Sequence, residues 1–195
     1  MNTTVQRLKT SIAGVFAAML LAACATDVPL ASERLNAPSA PLALGAPGGA
    51  APELGVCQNI AAPAGSTFAY HAYARGVQIY RWDGAAWAPV GPSAELFADA
   101  AGKALVGTHF GGPRWQSLSG STVRGSVIDR CVYDANAIPW LSLAGVPENG
   151  PGVFAHTTFI QRVNTVGGKA PPTPGSLDQI EEVPYTAEYY FYSTP

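Results

Sequence analysis

The sequence predicts an all-β fold: a single antiparallel β-sandwich or barrel-like domain built from hairpins. Three observations carry this. Apolar and polar residues alternate with a period of two in short runs, as half-buried strands do, and the clearest series fills Gly76–Gly125. Only 12% of residues are charged, about half the usual share, while 21 glycines, 17 prolines and 19 aromatics supply turns and strand side chains. Past residue 60, no segment keeps an apolar stripe at helical spacing.

In chain order, Phe68, Tyr70 and Ala72 alternate with Ala69, His71 and Tyr73 in a first strand. Val77 and Ile79 alternate with Gln78, Tyr80 and Trp82. Asp83-Gly84 comes next, the dipeptide that best supplies the positive φ angles of a two-residue hairpin, with Ala86–Val90 as the return strand. Ala94–Phe97 is a short apolar step, either strand or one helical turn, and Ala98–Lys103 is a turn punctuated by Gly102. Ala104–Phe110 is a strand that runs into Gly111-Gly112-Pro113. Trp115 leads through Ser117-Leu118-Ser119-Gly120 to further strand over Val123–Val132. Ile138–Leu143 is an edge or a strand start, because Pro139 lacks the N–H that a central strand requires. Val153–Val166 reads as the longest regular element, a strand with two mixed faces, ended by Gly167-Gly168 and a loop with Pro171, Pro172 and Pro174. Residues 183–192 form the last strand, with Tyr185, Ala187, Tyr189 and Phe191 on one face.

The first residues have a different character. Arg7 and Lys9 precede Ile12–Ala23, a 12-residue apolar core that is too short to span a bilayer and suited to a secretory signal. It ends in Leu21-Ala22-Ala23-Cys24, which resembles the lipobox of bacterial lipoproteins. The resemblance implies a signal peptide over 1–23, with acyl chains such as palmitate on Cys24. Several chains at about 0.8 kcal/mol per buried methylene make a stable bilayer anchor. Ala25 stands where an Asp would signal inner-membrane retention, so the implied destination is the outer membrane. The alternative is ordinary secretion or a periplasmic location, with cleavage at Ala23-Cys24-Ala25. Residues 24–55 are rich in Ala, Pro and Gly with no period of 2 or 3.6. They are expected to form a disordered tether reaching roughly 30 Å, ahead of a β-rich domain over 56–195.

Losing Arg7 and Lys9 with the leader leaves nine basic against thirteen acidic residues, a net charge of −4. Nucleic-acid binding needs clustered cations against phosphates, and the chain beyond the leader has no such cluster. Cys57 and Cys131 remain once Cys24 is assigned to lipid. An exported chain with two cysteines points to one disulfide; two buried free thiols are the alternative. No Cys-x-x-Cys is present.

Five segments form an ordered set: Gly76–Tyr80, Val106–Trp115, Ile138–Leu141, Gln161–Pro171 and Val183–Tyr189. Together they resemble a family of secreted bacterial and fungal proteins catalogued as a domain of unknown function, over about residues 63–192. The family pattern often has Cys where Trp82 stands and another Cys after Pro171. The resemblance therefore implies a bridge that this chain lacks, with Cys57–Cys131 as its replacement. Some fungal relatives are labelled malate dehydrogenase; here the chain has no Gly-x-Gly-x-x-Gly after a strand and no βαβ alternation, so no nicotinamide or other cofactor is expected.

The chemistry-bearing residues are scattered. His71, His109 and His156 fall on three predicted strands and could meet as a zinc triad, but no spacing motif supports a metal site. A hydrolase would use His109 as general base, yet Gly-x-Ser-x-Gly is absent, and Glu95, Asp99 and Glu188 show no spacing that singles out a carboxylate pair. No residue is assigned a catalytic role. The preferred expectation is a binding module for a small molecule or a glycan. Its candidate residues, beside the Gly-rich turns at 111–113 and 167–168, are His109, Trp115, Arg162, Thr165 and Glu188, with Tyr185 or Trp140 as further stacking platforms. A purely structural or interaction domain is the remaining alternative.

Overall fold

The computed structural model describes residues 51–195; the leader, Cys24 and most of the expected tether lie outside the described residues. Eight strands follow one another: β1 (Thr67–Trp82), β2 (Trp87–Phe97), β3 (Leu105–Phe110), β4 (Arg114–Ser117), β5 (Thr122–Cys131), β6 (Trp140–Asn149), β7 (Phe159–Gly167) and β8 (Ile180–Ser193). Each pairs antiparallel with the next, and β8 returns to β1, with Thr67 opposite Ser193 and Arg81 opposite Ile180. The sheet is a closed up-and-down barrel. Of the two expected all-β architectures, the barrel is the one adopted.

Alternation sorts the side chains to two sides of the wall. Inside lie Tyr70, Ala72 and Ala74 of β1, Ala94 and Leu96 of β2, Trp115 of β4, Leu141 and Leu143 of β6, and Tyr185, Ala187, Tyr189 and Phe191 of β8. An eight-stranded barrel has room for a packed core or one small ligand, and small residues make space for large ones. At Gly125 a Cβ would stand 2.8 Å from the Trp115 ring, so this position on β5 has to lack a side chain for the indole to lie across the interior.

A second core lies outside the wall. The segment before β1 makes a single 3-10 turn at Gln58–Ile60 and straps across the outer face. It buries Leu54, Cys57 and Ile60 against Trp140, Phe159, Val163, Tyr190 and Tyr192. The Cys57–Cys131 disulfide ties this strap to the end of β5. Gln161 Nε2 donates to the Ile60 carbonyl at 2.7 Å, and the Tyr192 hydroxyl donates to Gln161 Oε1 at 2.8 Å, so the polar groups under the strap are satisfied.

Several local readings are corrected. Val153–Val166 is not one strand. β7 begins only at Phe159, and residues 150–158 turn back across one end of the barrel, placing Phe154 1% exposed against Tyr70 and Phe191. Gly152, at φ 147, and the bonds Ala155 N to Gly152 O and Thr157 N to Phe154 O make that turn. The longest strand is β1. Its hairpin to β2 turns where Asp83-Gly84 placed it, but through four residues: Asp83 Oδ1 accepts from the N–H of Ala85 and of Ala86, both at 2.8 Å, and Gly84 takes φ 100. A bulge between Phe68 and Tyr70 sends Phe68 to the outer core, away from Tyr70 and Ala72. Of the two placements expected for Ile138–Leu143, the strand start holds: Pro139 immediately precedes β6, and the closed barrel has no edge. Trp82 packs edge-on to Trp87 at 5.4 Å, and the Trp87 indole N–H donates to Thr173 O at 2.9 Å. Two tryptophans hold the proline-rich loop here.

Candidate functional site

The β1–β2, β3–β4, β5–β6 and β7–β8 connections gather at one rim, and the loop bearing Phe154 closes the other. The open rim leads into a cavity of about 390 Å³, lined by His109, Trp115, Leu141, Leu143, Arg162 and Tyr189 within, and at the lip by Pro89–Pro92, Gly112, Pro113 and Val127. Register explains the grouping. Arg162 on β7 pairs across to Leu141 on one side and Tyr189 on the other, which makes one patch of wall. His109 on β3 is the cross-strand partner of Trp115 on β4, which makes another. Val90 and Val127 at the lip are 55% and 46% exposed, so the entrance is apolar.

His109 is 2% exposed, and its ring lies parallel to Trp115 at 4.3 Å, with Tyr189 edge-on at 5.0 Å. Its Nδ1–H donates to the Arg114 carbonyl at 2.8 Å, which fixes the tautomer and leaves Nε2 as an acceptor. Burial, helped by the charge of Arg162, lowers its pKa from 6.5 to about 3. The neutral ring is therefore a weak general base at pH 7. A sign follows for stability. Between these two values the unfolded chain binds more protons than the native one, so stability falls with pH below 6.5, by about 1.4 kcal/mol per unit. Thermal melts from pH 6.5 to 4.5 should show that slope, and His109→Asn, which keeps an N–H donor, should flatten it. An equal slope in both proteins would mean that His109 charges freely in the native state.

Burial leaves the Tyr70 hydroxyl and Trp115 Nε1 without partners, whereas the Tyr185 and Tyr189 hydroxyls lie beside each other, with Gln78 next to the first and Arg162 next to the second, short of good hydrogen-bond geometry. Burial raises the pKa of all three tyrosines; Arg162 opposes this at Tyr185 and Tyr189. Each hydroxyl therefore stays protonated and can donate.

The other expected site residues lie elsewhere. Thr165 is buried in the wall, where its hydroxyl donates to Ile138 O at 2.6 Å. Glu188 faces outward and accepts from His71 Nε2 at 2.9 Å, Asn164 Nδ2 at 3.0 Å and Tyr190 OH at 3.1 Å. The His71 bond is the main reason that its carboxyl pKa is held below the usual range. Asn164 reaches it from a left-handed backbone, φ 50, at the bulge in β7. Asp99 and Glu188 share the lining of a separate outer groove of about 200 Å³. Tyr185 is in the inner core, whereas Trp140 is outside, stacked on Tyr133 at 4.1 Å. The three histidines fall on the outer wall, in the interior and in the closing loop, and among the described residues no group of three or more His, Cys, Asp or Glu side chains could hold a metal. Missed from the sequence as lining were Tyr189, Leu141, Leu143 and Val127. The shared face of Tyr185, Ala187, Tyr189 and Phe191 was the one signal for Tyr189.

No curated protein and no solved structure gives a match to the chain. A family model described as "Protein of unknown function (DUF3455)" matches residues 63–193, from just before β1 to the end of β8. The match takes in the whole barrel and every residue that lines its cavity, and the chain belongs to this family of unknown function.

Proposed function

We propose that the barrel is a binding module that holds one small, largely apolar molecule in its open end. The observation that carries this is a cavity of about 390 Å³ with an apolar lip, whose wall brings together His109, Trp115, Tyr189 and the half-buried Arg162, and beside which the Trp115 indole N–H is buried without a partner. An orphaned buried donor costs about 1–3 kcal/mol, and a ligand acceptor would recover it. The volume is at the small end of the range for small-molecule sites, about 300–1,000 Å³, and such sites combine an apolar lining with a few convergent polar groups. A glycan fits less well, since it needs an open ring face and many polar partners, and Trp115 is covered by His109. The lipobox resemblance adds the setting: a module tethered by lipid on Cys24 to the outer membrane.

The test is titration of the ¹⁵N-labelled domain with 2-naphthalenemethanol, a neutral two-ring alcohol. Shifts should centre on the Trp115 indole N–H and the amides of Gly112, Leu141 and Tyr189. Val127→Trp, which fills the lip from an exposed position, should abolish them while the rest of the spectrum persists. Shifts confined to the outer wall, or none at all, would sink the reading.

A further inference from the structure

We propose that the molecule bound in this cavity carries a carboxylate on its apolar, ring-bearing frame. The inference rests on the reading of the barrel mouth as a binding site and adds the chemical class of its ligand.

Arg162 is the reason. Its side chain is half-buried at the cavity wall. The ion pairs of the described residues are His71–Glu188, Arg81–Asp178, Arg114–Glu148 and Arg124–Glu148, and Arg162 takes part in none. The sequence places Glu188 within one residue of its cross-strand partner Tyr189, yet alternation turns Glu188 to the outer surface, where His71, Asn164 and Tyr190 occupy it. What Arg162 does have is the Pro139 carbonyl, which accepts from Nε at 3.2 Å and from Nη2 at 2.8 Å, and the neutral Tyr189 hydroxyl beside it. That contact orients the guanidinium without neutralising it. A cation beside apolar wall is costly unless it is paired, and a guanidinium has five N–H donors, more than one carbonyl can use.

The neighbouring polar groups favour an anion. The indole of Trp115 can only donate, and the Tyr189 hydroxyl, beside Tyr185 and Arg162, stays protonated and adds no negative charge. His109 adds no charge, because its single proton is directed at Arg114 O. The one full charge at this wall is therefore positive, and a carboxylate, which only accepts and matches the guanidinium fork, answers it. The remaining lining, Leu141, Leu143, Val127 and Pro89, suits a compact apolar frame, and Phe154 closes the far end against a long chain. The acceptor Nε2 of His109 leaves a place for one hydroxyl or N–H on that frame.

The experiment compares 2-naphthoate with 2-naphthalenemethanol, the same rings with and without the charge, by calorimetry on the full domain. Wild type should bind the acid about ten- to a hundredfold more tightly, as charge-assisted bonds imply. Arg162→Met should erase that ratio while binding the alcohol as wild type does, and Arg162→Lys should keep part of it. Melting curves check that each variant folds; should Arg162→Met fail, the wild-type ratio and Arg162→Lys still decide. Equal affinities for the two probes in wild type would overturn the acid and leave the pocket standing. No binding of either probe would overturn both.

Discussion

Phe154→Ala should cost the domain about 3–5 kcal/mol, the range for emptying a buried aromatic site, and lower its melting temperature by about 2–4 °C for each of these. Phe154 is 1% exposed and touches Tyr70 at 5.9 Å and Phe191 at 4.8 Å between ring centres. Its loop has little freedom to collapse into the gap. Gly152 sits where a Cβ would meet Ser121 at 2.8 Å, and Ser117, Ser119 and Ser121 bond one another through their hydroxyls at 2.9 and 2.8 Å. Collapse is what makes truncations cheap, so the cost should fall high in the range. Urea unfolding of the two proteins measures it. A loss below about 0.5 kcal/mol, the size of an ordinary surface effect, would show that the ring does not close the barrel.

Breaking the Cys57–Cys131 bridge should have a comparable effect for a different reason. The bond closes a loop with a sequence separation of 74, and releasing such a loop gives back about 4 kcal/mol of unfolded-chain entropy in the simplest account. The native barrel keeps its own hydrogen bonds when the bridge is gone. The strap keeps Ile60, fully buried, and the Gln161 bond to its carbonyl. Cys131→Ser and reduced wild type should therefore unfold at matching lower urea concentrations, and protease should cut the strap between residues 54 and 62 before the barrel. Unchanged midpoints would mean that the strap is held without the bridge.

The sequence was legible where one face of a strand meets one environment. Tyr185, Ala187, Tyr189 and Phe191 were grouped correctly because β8 alternates without interruption past them, and the turn residues at 83–84, 102 and 120 marked real reversals. It was illegible where backbone irregularity resets the period. The bulge beside Phe68 moved one aromatic to the other core, and residues 150–158 mimic alternation while turning. The candidate residues fared in the same way. His109, Trp115 and Arg162 meet at one cavity through barrel closure, which no local pattern displays. Glu188, opposite Val163, and Thr165, three residues past Arg162, lie close to that cavity in register and sequence, but they serve the opposite face and the wall itself. Sandwich and barrel differ only in whether the last strand finds the first, and alternation says nothing about that.

That last pairing sets an order of events. β1 and β8 are the longest strands, 16 and 14 residues, and they lie at opposite ends of the barrel's sequence. Bringing them together incurs the largest loop-closure entropy in the fold, and non-local pairing of this kind is slow. Until it happens, both carry unpaired N–H and C=O groups along an open edge, a template for association with other chains. A ribosome that still holds residues 180–193 holds the barrel open, and a chain truncated before them never shuts.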